Sequence, residues 1–287
     1  MPSVQSFNTL RARSYVSRLP LFTRAIVVII FGLWVAGFQS VVDLQAWGAL
    51  IPDQISLFAG EFLFGIARFD PNEYADLRCV VAYRLSTFPL IHLNFIHALL
   101  NVLALTPLME RFEGEYGTLT TLALFFGPLT TIPGVLYVLI ERGIFRANNE
   151  VVGASLWVFL LLGMEAIRTH KTNPHLIIST YHIPTWIMPL FMILVVAALV
   201  PRTSFLGHLC GVGVGYLAGL GYVKFLAPPE WALRWIESRL NLLAILPHYV
   251  SVDQKTYGRF GVLPTTNRSG PGGSATELVG TTQRLGP

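Results

Sequence analysis

The chain has 287 residues, 53% of them hydrophobic and only 13% charged, with a mean hydropathy of +0.57. A soluble globular domain carries roughly 25% charged residues, so an ordinary soluble enzyme is excluded, and so is a disordered chain, which needs a polar, charge-rich composition. The 20 Lys and Arg exceed the 16 Asp and Glu by a net charge of +4, without the basic patch on a polar domain that would imply nucleic acid.

At roughly 20 apolar residues per crossing, the length suits an all-α membrane protein. Residues 1–24 hold Arg11, Arg13, Arg18 and Arg24 and no acid. The apolar run Ala25–Val42 that follows is longer than a cleaved signal core, so it reads as a retained first span. A long first loop comes next, Asp43–Thr87, with six acids against three bases. Its stretch ISLFAGEFLFGIARF reads as an amphipathic segment at the membrane interface. Five more apolar segments run at about Phe88–Met109, Thr118–Ile140, Val151–Ile167, Ile183–Val200 and Ser204–Leu226. Threading six spans from a cytosolic N-terminus puts Lys and Arg at 14 on the cytosolic side against 6 opposite, which predicts cytosolic termini and a lumenal first loop. The expected organisation is a basic N-terminus over 1–20, a six-span domain over 21–226 and a cytosolic tail over 227–287. In that tail, Trp231 and Trp235 share one helical face, predicting an interfacial helix about 228–246. Beyond about Pro264 the composition is Thr, Gly, Ser and Pro, which predicts disorder.

Polar groups inside apolar runs are costly, so each is a functional candidate. The second span carries His92, Asn94, His97 and Asn101, the last three spaced as one helical stripe. Such a stripe either lines a wet cavity or glues helices together. In the fourth, Ser155 is expected about one turn inside the span, after the small residues Gly153 and Ala154 and near a helix N-terminus whose N–H groups are free. In the sixth, His208 shares a face with Gly211, Gly215 and Gly219, a surface that lets a neighbouring helix approach closely. Counted along the spans, Ser155 and His208 lie at matched depth, roughly 6 Å below one rim at 1.5 Å per residue. No acid is expected at that depth, so a Ser–His dyad is the available chemistry. No internal repeat, phosphate-binding glycine loop or HExxH is present, and neither a cofactor nor a metal is implied; Cys79 and Cys210 form no CxxC, and a bridge between them is not expected.

Together, His92-x4-His97-x3-Asn101, Gly153-x-Ser155 and Gly207-His208-x2-Gly211-x3-Gly215 resemble the rhomboid family of intramembrane serine proteases. The resemblance spans about residues 20–226. It implies a six-helix bundle that cleaves transmembrane protein substrates in the lipid bilayer. Ser155 would be the nucleophile and His208 its base, with His97, Asn101 and the Ser155 N–H as the oxyanion hole. His92, Asn94, Gly153, Phe159, Gly211 and Gly215 would support them. Glu110, Arg111, Glu113 and Gly117 resemble the turn that follows the family's second span. Three features depart from the family pattern: Leu156 stands where many members have Gly, Phe159 replaces a Tyr that stacks beneath the histidine, and a Trp-Arg pair of the first loop is absent. The tail SVDQKTYGRFGVLPTTN is similar to that of fungal Golgi rhomboids. That likeness implies a Golgi or ER membrane, a membrane-bound sterol-regulatory transcription factor precursor as substrate, and a ubiquitin-selective AAA ATPase recruited through residues 251–264. Two rivals remain at this stage. One is a catalytically silent rhomboid-like quality-control adaptor, and the other is a small transporter using the polar stripe.

Overall fold

A computed structural model describes residues 15–55, 83–200 and 203–256, apart from 40, 42 and 179. Its helices follow the apolar runs in order: α1 (Leu21–Ala36), α2 (Phe95–Tyr116), α3 (Thr118–Phe126), α4 (Pro128–Gly143), α5 (Ser155–Thr172), α6 (Met188–Leu199), α7 (Phe205–Leu217) and α8 (Glu230–Leu240). Helices α3 and α4 are one apolar stretch bent at Gly127, with Pro128 at the first position of α4, where a missing N–H costs nothing. A short antiparallel hairpin, β1 (His175–Ile178) and β2 (Tyr181–Pro184), joins α5 to α6. Among the described residues, three stretches are long and apolar enough to cross a membrane: Phe95–Tyr116, Thr118–Gly143 and Phe205–Leu226. Leu21–Ala36 and Thr185–Leu199 are apolar but shorter. The chain is thus an all-α membrane protein in class, as its composition predicts.

Helix α5 is the centre of the bundle. Leu156, Trp157, Leu160, Leu161 and Met164 are buried along it, and its most extensive contact is with α7. The glycine face of α7 explains that contact. A methyl group at Gly211 would come within 2.7 Å of the Leu156 carbonyl oxygen, and one at Gly219 within 2.6 Å of that of Met164; at Gly215 it would collide with the Leu160 carbonyl. From the other side, Gly163 of α5 meets the Val212 carbonyl oxygen at 2.8 Å by the same measure. Two backbones are therefore in contact over two helical turns, and no side chain fits between them. Past Leu217 the helix widens into a π-turn, Ala218–Tyr222, with Gly221 at φ 111°. Lys171 from the end of α5 donates to the Gly219 carbonyl there at 3.0 Å.

The end of the bundle away from Ser155 is tied by polar groups. Glu113, fully buried, receives the Phe22 and Thr23 N–H groups at the start of α1, each at 2.8 Å, and the hydroxyls of Thr23 and Thr118 at 2.8 and 2.7 Å. A carboxylate at a helix N-terminus meets free donors and the positive end of the macrodipole. Arg168 of α5 pairs with Glu115 at 2.6 Å and with Glu165, and Arg111 reaches Glu165 at 2.7 Å. Residues 248–256 fold back onto this end. The His248 carbonyl accepts from Leu21, the Val250 carbonyl accepts from Thr118, and Thr256 donates to Gly114. Gly117, at φ 87°, makes room for that strap, since a methyl there would press on the Val250 carbonyl.

The interfacial helix forms, but as two pieces. Asn241 takes a left-handed conformation and ends α8, and a single turn Leu242–Ile245 follows. Trp231 and Trp235 are exposed together, as their spacing predicts. The opposite face of α8 binds the strap through Lys255–Glu230 and Arg234–Asp253, each 2.5 Å, and through Glu237, which accepts from Tyr249 Oη and the Val252 N–H. The amphipathic stretch of the first loop beyond residue 55, Cys79, and everything after Thr256, including the tail motif from Tyr257, lie outside the described residues.

Candidate active site

The nucleophile candidate is the first residue of α5, not a residue one turn inside it. Three of the four residues before it are bonded elsewhere. Val151 makes a two-way antiparallel bridge with Leu50 of the first loop, both bonds 3.0 Å. Gly153 donates to the Phe88 carbonyl at 3.0 Å, and Ala154 donates to His92 Nε2 at 3.2 Å. These bonds use up the backbone that the apolar run would otherwise have made helical. As the first helical residue, Ser155 has no intrahelical acceptor for its N–H, so that donor is directed at the cavity end of the helix.

His208, on the first turn of α7, places Nε2 2.9 Å from Ser155 Oγ. It is 2% exposed. The Phe159 ring, one turn along α5 from Ser155, lies 4.3 Å centroid to centroid from the imidazole at 34°, so the aromatic support under the histidine survives without a hydroxyl. His208 Nδ1 is buried and has no hydrogen-bond partner among the described residues. Among the described residues, no carboxylate meets His208 there.

The polar residues of the second apolar segment separate into distinct jobs. Asn94 is the N-cap of α2 rather than a member of its stripe, and its Oδ1 accepts the His97 N–H at 2.8 Å. His92 lies before the helix. Its Nδ1 faces the Leu90 carbonyl at 3.2 Å while Nε2 takes the Ala154 N–H, an arrangement satisfied by the neutral Nδ1–H tautomer. His97 and Asn101 reach the site itself. A methyl group at Gly153 would lie 2.6 Å from His97 Cε1, 2.8 Å from Nε2 and 3.6 Å from Asn101 Nδ2. Only glycine fits there, and Gly153 also has φ 106°, which other residues rarely adopt. Asn101 donates one amide proton to the His97 carbonyl at 3.0 Å and keeps a second.

These groups open onto a cavity of about 1300 Å³ lined by Asn94, His97, Ser155, Leu199, Phe205 and His208, among others. The cavity thus joins polar ends of α2, α5 and α7 to apolar side chains such as Ile96, Leu100, Leu156, Leu199 and Phe205, a lining suited to an apolar chain presenting one polar bond. Sequence reasoning missed two residues on its rim, Glu141 and Asn149. Glu141 sits one residue past the expected end of the third segment, where an acid in an apolar helix is itself a signal. It is 4% exposed and accepts from Asn149 Nδ2 at 2.5 Å.

Comparison with known proteins agrees with this geometry. The Rhomboid domain model matches residues 81–225. The chain belongs to the rhomboid family. It is 67% identical over 287 residues to the rhomboid-type serine protease 2 of Gibberella zeae, covering 100% of this chain and 99% of that one. The corresponding protein of Podospora anserina is 54% identical over 309 residues, covering 100% and 99%, and the rhomboid-type serine protease B of Aspergillus fumigatus is 52% identical over 283 residues, covering 98% and 96%. Rhomboid residues 81–225 contain every candidate site residue named above. As in its relatives, the fold is that of a rhomboid serine protease, a hydrolase embedded in a membrane.

Proposed function

We propose that this rhomboid protein is an intramembrane serine endopeptidase that cuts single-span membrane proteins near the lumenal end of their transmembrane helix by a Ser155–His208 dyad. The observation that carries the reading is the 2.9 Å approach of His208 Nε2 to Ser155 Oγ at the cavity. Within hydrogen-bond reach, His208 takes the Ser155 proton as Oγ attacks the peptide carbonyl. The carbonyl oxygen becomes an oxyanion facing the Ser155 N–H, His97 and Asn101. Collapse expels the amine, which leaves with the proton held on His208. Water then attacks the acyl-enzyme, gives its proton to His208, and Ser155 is regenerated. An unpaired Nδ1 is compatible with this cycle, because the dyad needs one proton to shuttle through Nε2. The silent-adaptor alternative requires the dyad to be lost, whereas serine and histidine are both present and in contact.

The reading extends to a six-span domain over 21–226, cytosolic termini, a Golgi or ER membrane and a sterol-regulatory transcription factor precursor as substrate. Its support is the Lys and Arg distribution and the likeness of the tail to fungal Golgi rhomboids. A ubiquitin-selective AAA ATPase would be recruited through residues 251–264; the part up to Thr256 is the strap described above.

A fluorophosphonate probe tests the nucleophile directly. It should label the detergent-solubilised chain and fail to label Ser155→Ala or His208→Ala, both of which should also lose cleavage of a tagged single-span substrate. Equal labelling of Ser155→Ala would remove the dyad.

A further inference from the structure

The segment between α4 and α5, residues 144–154, leads directly into Ser155 and is neither helix nor sheet strand, so something must fix it. We propose that Glu141 and Asn149 form a latch that positions Ser155, an inference that rests on Ser155 being the nucleophile. Asn149 is gripped twice by one face of α4. Its side-chain amide donates to Glu141 Oε1 at 2.5 Å, and its backbone carbonyl accepts from Tyr137 Oη at 2.7 Å. Tyr137 and Glu141 are one turn apart, so both bonds come from the same stripe of α4. The Glu141 carbonyl also accepts the Ala147 N–H at 3.0 Å.

The latch lies two residues before the Val151–Leu50 bridge and six before Ser155. From Asn149 onward each anchor hands its register to the next: α4 holds Asn149, Leu50 holds Val151, Phe88 holds Gly153 and His92 holds Ala154. The last three anchors are a backbone bridge, a backbone carbonyl and an imidazole, which set local direction. Upstream of the bridge, Glu141 and Tyr137 tie Asn149 to α4, beyond the Ile144 and Phe145 N–H groups that end the helix on the Ile140 carbonyl. Neighbouring residues reinforce the same joint. Asn148 Oδ1 accepts the Asp53 N–H at 3.0 Å, and Gln45 reaches Glu150 at 2.6 Å. The first loop is therefore stitched to the segment that Glu141 holds.

Glu141 touches neither Ser155 nor His208 by any bond in the structure. It acts through the segment, and the part of it that matters is an acceptor oxygen, not a charge. Glutamine supplies the same acceptor at the same place, whereas alanine removes it, leaving the exposed Asn149 amide to water and the segment untied from α4 at that point.

The test uses the full-length chain in proteoliposomes with a single-span substrate. It compares Glu141→Ala, Glu141→Gln, Asn149→Ala and the Glu141→Ala/Asn149→Ala pair by kcat, KM and the rate of fluorophosphonate labelling. A 1 Å misplacement costs about 100-fold in rate, so Glu141→Ala and Asn149→Ala should each lower kcat and the labelling rate by about 10–100-fold with KM little changed. Glu141→Gln should stay within about threefold of the parent, and the double variant should be no worse than either single one, as for two halves of one contact. Glu141→Gln as damaged as Glu141→Ala, with KM raised, would overturn the latch in favour of a charge that binds substrate. Unchanged kcat and labelling in Asn149→Ala would overturn it outright. Asn149→Ala carries the test if Glu141→Ala fails to insert; Tyr137→Phe, which removes the hydroxyl's contact with Ser204 along with its bond to Asn149, should lower the labelling rate in the same direction, and an unaffected rate there counts against the latch. Persistent labelling of Ser155→Ala would instead refute the nucleophile, and loss of label in Ser155→Ala beside parental rates in the latch variants refutes the latch alone.

Discussion

The two ends of this bundle are held by different physics. Around Ser155 and His208 the elements meet mostly through backbone: glycine α-carbons against carbonyl oxygens between α5 and α7, and backbone hydrogen bonds along the segment that precedes the serine, where Glu141 and Glu150 accept from side-chain amides. At the other end, Glu113, Arg168, Glu115 and Glu165 hold the helices through carboxylates and cations, and the strap of residues 248–256 adds backbone hydrogen bonds to the bundle and ion pairs to α8. Backbone contact has no slack, because no rotamer can absorb an added atom. A network of charged side chains has slack and redundancy, since each carboxylate has more than one donor. The chemistry sits at the end that cannot give. A dyad needs heavy atoms within about 2.6–3.2 Å, and a helix pair welded through glycine fixes the separation of the two backbones that carry it.

The largest effect should come from inserting atoms into the weld. In Gly215→Val the side chain meets the Leu160 backbone itself, so α7 must move away from α5 and carry His208 with it. Cleavage and fluorophosphonate labelling should fall by more than about 100-fold, while protease protection of the membrane domain is retained. Gly219→Val is the comparison. It meets the Met164 carbonyl and the Ile167 side chain, one turn farther from His208 and beside the π-turn, where the helix already departs from regular geometry and can yield. Its activity should drop less. Full activity in Gly215→Val would mean that the close packing does not set the dyad distance.

Next in size is the loss of a donor. Asn101→Ala should slow turnover by about 10²–10³, the cost of removing one oxyanion donor, and leave slow cleavage rather than none. Asn101 is buried beside Gly153 and retains one free amide proton. An unchanged kcat would reassign it as a strut for the His97 carbonyl, and the dyad end would then owe its order to backbone alone.

How much of this could be read beforehand follows the same division. Ser155, His208 and the glycine face were legible because helical spacing converts directly into shared faces, and the α5–α7 contact only had to bring two such faces together. The polar stripe of the second segment was half legible. His97 and Asn101 do share a face at the site, but Asn94 caps the helix and His92 precedes it, because the chain stays extended until Phe95 to let His92 take the Ala154 N–H. Periodicity cannot register a helix that starts late for a tertiary reason. The Leu50–Val151 bridge and the Glu141–Asn149 contact join residues about 100 and 8 apart without any repeat, so no pattern announces them. The strap was missed for a different cause: Ser251 and Val252 are buried against the bundle, yet their local composition is that of an ordinary polar tail.

At the far end the expected effects move from activity to stability. Glu113→Ala strands the Phe22 and Thr23 N–H groups and two buried hydroxyls. Each buried unpaired donor costs about 1–3 kcal/mol, so unfolding in detergent should shift markedly towards lower temperature. Molecules that remain folded should cleave at nearly the parental kcat. A collapse of kcat in the folded fraction would show that the two ends are coupled.

The smallest effect belongs to Lys255→Ala. Its partner Glu230 is well exposed and lies 3.9 Å from Arg234 as well, so loss of one cation leaves another. Exposed pairs contribute about 0.2–1 kcal/mol and weaken with salt, and the melting temperature should fall by only a degree or two at neutral pH, with the shift shrinking at high salt. The sign with pH is fixed by the pair. The hydrogen bond and charge of Lys255 hold the Glu230 carboxyl below its ordinary value of 4.5. A lowered acid contributes stability that is fully present above that ordinary value and is lost as pH falls through the folded one. Parent and Lys255→Ala should therefore differ by a constant small amount at neutral pH and converge in acid. A difference of several kcal/mol, or a loss of cleavage at neutral pH, would mean that the strap has no redundancy and that this end is set as tightly as the one that holds the serine.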